Sequence, residues 1–252
     1  MRLFILASGS DGNCMLVEHD GYSVLVDAGL SCREIGRRMD EAGAGGMQPS
    51  ALFLTHEHSD HVRGARVTAR RYGLPVVCSP GTARRTPGLA DVPLVRMMAP
   101  GSSTLAGPFT VSSFLLPHDA EEPSGYVIEW EGGRLGIATD LGCWSHLVAE
   151  SLAGCTGLVL EFNHDEEMLW NGGYPWPLKQ RIASSKGHLS NASASGLLAK
   201  VSHGGLGYVV LAHLSRENNR PPLALEAAGA AAGFCGEILV AGPDRAFEAP
   251  RI

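Results

Sequence analysis

The sequence predicts one mixed α/β domain spanning residues 1–252. Three observations predict it. Apolar runs of strand length cluster near both ends of the chain, and segments with helical periodicity are interleaved with them. No internal repeat or low-complexity linker divides the chain. Apolar residues make up 44% and charged residues 18%, a globular composition rather than a disordered or coiled-coil one. A chain of this length buries roughly three quarters of its unfolded surface, so its core needs no disulfide staples.

Arg2–Ala7 reads as a strand that breaks into a Ser-Gly-Ser-Asp-Gly-Asn turn. Cys14–His19 and Tyr22–Asp27 flank Asp20-Gly21, a hairpin signal. Ser31 caps a helix over about 32–42 that Gly43 ends. Ala51–Leu54 is a strand running into Thr55-His56-Glu57-His58-Ser59-Asp60-His61. A helix over about 62–72 follows, with Val62, Ala65, Ala69 and Tyr72 on its apolar face. Further strands are expected at 74–78, 109–116, 125–130, 134–139 and 157–162. The stretch Trp170–Pro177, rich in Gly, Pro and Trp, reads as a loop. A helix over about 192–203, a strand at 206–212, a helix over 221–232 and a strand at 236–240 complete the chain.

The net charge is −6, from 20 basic and 26 acidic residues. That excludes a polycation that coats nucleic acid but leaves room for a locally basic groove. Cys14, Cys32, Cys78, Cys143, Cys155 and Cys235 include no CxxC pair. The first residues carry too short an apolar run for a signal sequence, and none approaches the ~20 residues of a membrane span. The expectation is a soluble cytoplasmic protein with reduced thiols and no membrane partner. Oligomeric state has no signature in the sequence.

His56-x-His58-x-Asp60-His61 puts four ligand-type side chains within six positions, just after an apolar strand. In an extended segment, residues i and i+2 point the same way, so His56 and His58 can grip one ion. As the chain rolls into a helix, Asp60 and His61 face a second. The alternative, a polar loop capping a helix, accounts poorly for such a density of ligands. His118, Asp140 and His213 each follow an apolar run, and strand ends converge on one sheet edge. Asp140 is suited to bridge two ions. Imidazole with carboxylate serves Zn²⁺, Mn²⁺ or Fe.

These residues resemble the metallo-β-lactamase superfamily, whose order is HxHxDH, then His, Asp and His. Asp27 in Leu25-Val26-Asp27-Ala28-Gly29 matches its early supporting Asp. The resemblance implies an αββα four-layer sandwich with two divalent metal ions, Zn²⁺ or Mn²⁺. It implies that His56, His58 and His118 hold the first ion, that Asp60, His61 and His213 hold the second, and that Asp140 bridges. Asp140 is not the Cys of a large β-lactamase group, and His58 is not the Glu of the di-iron branch.

The last third is similar to RNase Z: Glu161-Phe162-Asn163-His164-Asp165 after a strand, Gly187-His188-Leu189-Ser190-Asn191 opening a helix, and His213-Leu214-Ser215. By that resemblance Glu161 orients His188, which protonates the leaving oxygen. The wording is closer still to the YycJ/WalJ-like family, through Ser8–Cys14, Thr55–His61, Pro117–Ala120, Thr139-Asp140, Glu161–Asp165, Gly172–Pro175, Gly187–Asn191 and His213–Asn219. The family implies a 5′–3′ DNA exonuclease linked to mismatch repair, without an inserted cap domain. Leu141 and Phe162 depart from its usual small polar residues.

The reading is a two-metal phosphodiesterase in which a hydroxide between the ions attacks phosphorus. Asp60 steers it and Glu161/His188 serve the leaving group. The rivals are a glyoxalase-II-like thioesterase or lactonase, an RNase Z-like RNA nuclease, and a metal-stabilised binding module. A thiolate leaving group needs little protonation, which weighs against the thioesterase. Arg63, Arg66, Arg70 and Arg71 share a helix face, which is either a phosphate contact or a solvated surface. Arg84-Arg85 and Lys179, Arg181 and Lys186 pose the same choice. Trp170, Tyr174 and Trp176 either stack on unpaired bases or pack their loop. His164 and Asp165 either line the site or belong to a helix cap at Asn163.

Overall fold

A computed structural model describes residues 1–251, so Ile252 of the expected domain lies outside the described residues. The chain opens with β1 (Arg2–Ala7), β2 (Cys14–His19) and β3 (Tyr22–Val26), then α1 (Cys32–Glu41) and β4 (Pro49–Phe53). Two short helices follow, α2 (Ser59–Val62) and α3 (Ala65–Tyr72), then β5 (Val76–Cys78), α4 (Pro80–Arg85) and β6 (Val95–Met97). The second half begins with β7 (Ser103–Ala106), β8 (Phe109–Leu115), β9 (Ser124–Trp130), β10 (Gly133–Ala138) and α5 (His146–Leu152). It continues through β11 (Gly157–Glu161), α6 (Glu166–Asn171), α7 (Trp176–Ile182), α8 (Asn191–Val201) and β12 (Tyr208–Ala212). It ends in α9 (Pro221–Gly229), β13 (Glu237–Val240) and β14 (Phe247–Glu248).

Among the described residues, these strands make two seven-stranded sheets, ordered β14-β1-β2-β3-β4-β5-β6 and β13-β12-β11-β10-β9-β8-β7. Both follow one plan. Pairing is antiparallel from β14 to β3 and from β7 to β10. It is parallel from β3 to β6 and from β10 to β13.

The period of two along each strand sorts the side chains into layers. Leu3, Ile5, Val24, Val26 and Phe53 meet Phe109, Val111, Ile128, Ile137 and Val210 between the sheets. Phe4, Leu6, Leu25 and Leu52 pack outward on Ile35, Met39, Ala65 and Ala69 of α1 and α3. Leu158, Leu160, Val209 and Leu211 pack outward on Val148, Leu197, Leu198 and Ala224 of α5, α8 and α9. The result is the four-layer αββα sandwich.

Two expectations change. The helix expected over 62–72 is broken at Gly64, which touches the preceding loop: its N–H donates to Ala28 O at 2.8 Å. A Cβ there would stand 1.9 Å from Leu30 O, so only glycine fits. The stretch expected as a loop at Trp170–Pro177 is half helical: Trp170 and Asn171 end α6 and Trp176-Pro177 open α7, with only 172–175 forming the turn between them. Proline is compatible with a first helical turn, where its missing N–H is not needed. The sequence reading also passed over α4, α5, β6, β7 and β14.

Candidate metal centre

The loop after β4 carries His56 and His58, and α2 carries Asp60 and His61. Three further residues arrive where strands of the other sheet end: His118 beyond β8, Asp140 beyond β10 and His213 beyond β12. Asp27, Asp140 and His213 take left-handed φ values of 62°, 63° and 57°. Each sits just past a strand, where the turn throws its side chain across the sheet edge.

The ligand atoms of His56, His58 and His118 lie within 4.8 Å of one another, as do those of Asp60, His61 and His213. Asp140 joins His56 and His61 in one such group, and Glu161, His188 and His213 in another. It therefore stands between the two histidine sets.

The far nitrogens of four of these histidines are held by oxygen. His61 Nδ1 donates to Asp27 Oδ2 at 2.8 Å, and His118 Nδ1 to Gly187 O at 3.0 Å. Thr55 donates its hydroxyl to Asp27 at 2.9 Å, which leaves it lone pairs to accept from His56 Nδ1 at 3.0 Å. His213 Nδ1 donates to Glu161 Oε1 at 2.9 Å. In the neutral ring each anchor fixes the tautomer that leaves Nε2 free and turned inward. Burial opposes a charge on His61 and His213, but the carboxylates around them, Asp140 in both cases, outweigh it and raise both imidazoles above their ordinary value, a proton that a bound cation would displace. His56 Nε2, Asp140 Oδ2 and His213 Nε2 are buried without a hydrogen-bond partner. His118 Nε2 and His58 Nδ1 face each other at 3.3 Å. Buried lone pairs converging in this way fit divalent cations, and the imidazole–carboxylate donor set suits Zn²⁺ or Mn²⁺.

Glu161 is fully buried and four contacts hold it. Oε2 accepts the backbone N–H groups of Leu141 and Leu189, each at 3.0 Å. Oε1 accepts from His213 and, at 2.9 Å, from His188 Nδ1. Burial pushes the Glu161 carboxyl up, but the charge and hydrogen bond of His188 and the bond from His213 outweigh it and hold it low. Burial likewise opposes a charge on His188, and Glu161 outweighs it, leaving that imidazole above its ordinary value.

These groups open on a cavity of about 320 Å³ lined by His58, Asp60, Asp140, His188 and His213, and walled on α7 by Leu178, Arg181 and Ile182. Arg181 Nε donates to Asp119 Oδ2 at 2.7 Å, and Asp119 Oδ1 lies 3.4 Å from His118 Nε2.

A sequence profile described as "Metallo-beta-lactamase superfamily" matches residues 7–159. "Exodeoxyribonuclease YycJ" of Bacillus anthracis is 37% identical over 89% of this chain and 86% of its own length. "Exodeoxyribonuclease WalJ" of Streptococcus pneumoniae serotype 2 is 35% identical over 87% and 84%. This chain belongs to the metallo-β-lactamase superfamily, in its YycJ/WalJ family. The metallo-β-lactamase fold protein YhfI from Bacillus subtilis shares the fold, with a TM-score of 0.75 at 17% identity and 98% coverage of both chains. Membership makes the chain a metal-dependent hydrolase that binds divalent metal.

The metallo-β-lactamase scaffold brings His56, His58, Asp60, His61, His118, Asp140, His213, Glu161 and His188 together. Four residues considered for substrate contact stand elsewhere. Arg63 does not line the cavity; with the helix broken at Gly64, its guanidinium donates to Gly29 O at 2.7 Å and to Asp11 O, and so ties the metal loop to its neighbours. Asp165 caps α6, accepting from Met168 N at 2.8 Å, so the cap falls there and not at Asn163. His164 is buried behind the site. Trp176 is 60% exposed and lies beside Trp170, ring centroids 5.4 Å apart, next to but not within the cavity wall.

Among the other basic residues, Arg66 pairs with Asp91, Arg84 and Arg85 with Glu121, and Lys179 donates to Trp170 O. Thr55, Asn163 and the Gly187 carbonyl were missed as supports. Asn163 Nδ2 donates to His213 O at 2.9 Å. A backbone carbonyl has no sequence signature, but Thr55 adjoins the histidine run and was open to notice.

Proposed function

We propose that this chain is a two-metal phosphodiesterase that removes nucleotides from DNA in the 5′–3′ direction. His56, His58 and His118 would hold one divalent ion, Zn²⁺ or Mn²⁺. Asp60, His61 and His213 would hold the other, with Asp140 between them. Bound there, the ions would supply an activated water and compensate phosphate charge. Asp27, Thr55, Gly187 O and Glu161 present the ligand nitrogens in their unprotonated form. Asp60 lies at the cavity wall, where it can orient the attacking water.

The observation that carries the reading is the 2.9 Å contact between Glu161 Oε1 and His188 Nδ1 on the wall of that cavity. An imidazole anchored through Nδ1 keeps Nε2 to carry a proton to the departing 3′ oxygen of the scissile bond. An alkoxide needs that proton and a thiolate does not, so the pair favours phosphodiester over thioester hydrolysis. The names of the two relatives support DNA as substrate. Trp170 and Trp176 would offer ring faces to unpaired bases at the cavity mouth. We read the chain as one catalytic domain working in the cytoplasm in DNA repair.

The test is a strand-resolved assay with Zn²⁺- and Mn²⁺-loaded protein on 5′- and 3′-labelled linear DNA, circular DNA, an RNA hairpin and a small thioester. Stepwise loss from 5′ ends of linear DNA is expected. Preference for the hairpin or the thioester would replace the reading.

A further inference from the structure

Beside the metal-site cavity lies a second cavity of about 430 Å³, at the ends of β12 and β13. The two share Ser215, two residues past His213. The floor of the second cavity is apolar, built from Leu214, Pro221, Val240 and Ala241. Its wall carries three guanidinium groups: Arg216, Arg220 and Arg245. Among the described residues that line the metal-site cavity the one arginine is Arg181, and that side chain is already paired with Asp119.

The three arginines are not equally committed. Arg220 donates to the carbonyls of Arg216 and Asn219, and so braces the loop. Asn219 in turn donates to Phe162 O at 2.8 Å, and Ser215 N to Asn163 O at 2.8 Å, which ties the loop to the end of β11. The cavity is therefore built on backbone fixed by the metal site itself. Arg216 is 57% exposed and pairs with Asp11 at 2.9 Å and Asp244 at 3.3 Å. Such exposed pairs are weak and exchange readily for another anion. Arg245 is exposed and has no ion pair or hydrogen bond among the described residues.

An apolar floor beneath a guanidinium rim is the chemistry of a nucleotide site, with a base against the floor and phosphate on planar, fork-shaped donors. We infer that this second cavity is a nucleotide subsite that holds the unit of a single DNA strand next to the one being cleaved, with Arg216 and Arg245 on its phosphates. The inference rests on the nuclease reading and extends it: it supplies the grip on the strand that the metal-site cavity lacks. It also makes the substrate here a single strand, because a paired base cannot turn its face to the floor.

The experiment measures binding of a fluorescein-labelled, phosphorothioate-linked single-stranded oligodeoxynucleotide to the metal-loaded protein by anisotropy across a salt series. The proteins are wild type, Arg216→Ala, Arg245→Ala, the double variant, and Arg96→Ala on the far edge strand as control. Each single change is expected to weaken binding several-fold and to lower the slope of log affinity against log salt by about 0.7, the signature of one lost phosphate contact. The double variant should lower it by about twice that. Arg96→Ala should match wild type. Variants that bind like wild type with an unchanged slope would overturn the subsite and leave the nuclease reading standing. A wild type that binds no single strand yet degrades duplex ends would overturn the subsite alone. A wild type that neither binds nor cleaves DNA would overturn both.

Discussion

Glu161 accepts from Nδ1 of His213 at 2.9 Å as well as from Nδ1 of His188 at 2.9 Å, so one buried carboxylate holds two imidazoles of the site. One buried carboxylate therefore couples two parts of the site. Glu161→Gln keeps the shape but removes the charge, and the amide cannot accept from both rings as strongly. Outer-shell changes of this kind typically cost about 10–100-fold in metal affinity or activity. We expect a loss in both, measured as metal stoichiometry after dialysis and as turnover. Unchanged stoichiometry with lost turnover would assign Glu161 to His188 alone.

His188→Ala tests the proposed proton donor apart from the proposed metal ligands. Turnover on DNA is expected to fall by about 10²–10⁴, the usual scale of general acid catalysis, with bound metal retained. A phosphodiester with a p-nitrophenolate leaving group needs no proton, so its hydrolysis should fall far less. Equal losses on both substrates would remove the donor role.

Gly29 is where the loop after β3 touches the metal loop. Asn13 N donates to Asp60 O at 2.7 Å, Gly29 N donates to Asn13 O at 2.9 Å, and a Cβ on Gly29 would stand 1.6 Å from Asp60 O. Gly29→Ala must push these backbones apart. We expect destabilisation of about 3 kcal/mol or more by denaturant unfolding, at the upper end of overpacking effects, with loss of metal. Full metal content at wild-type stability would contradict the contact.

The cysteines divide by burial. Burial raises the thiols of Cys78 and Cys155 to about 12 and about 11, so both stay protonated at neutral pH, while Cys235 is exposed. A thiol reagent at neutral pH should modify Cys235 first and the half-buried Cys143 more slowly. Cys14, Cys32, Cys78 and Cys155 should react only on unfolding. Mass spectrometry of the labelled protein reads the order.

The candidate ligands were legible because they are written into the chain as a run of His and Asp behind a strand, with His118, Asp140 and His213 each behind an apolar stretch. Alternation of apolar residues exposed the strands that build both sheets. Other features follow from tertiary contact and have no local period. Gly64 breaks a helix whose periodicity looked continuous, because Leu30 O leaves no room for a side chain. The same break turns Arg63 from a candidate phosphate contact into a clamp on Gly29 and Asp11. Short edge elements such as β6 and β14 escaped because a strand of two or three residues has no alternation to read. The likeness of the two sheets is likewise one of pairing direction, not of residues.

The left-handed turns at Asp27, Asp140 and His213 have a further consequence. An L-residue in that region costs about 1–2 kcal/mol relative to glycine's freedom, and Asp and His are among the residues that tolerate it best. Glycine would ease the backbone at these positions, but at Asp27 it would leave the Thr55 hydroxyl and His61 Nδ1 buried without their acceptor, so the side chain, and not the turn, is what holds the residue there.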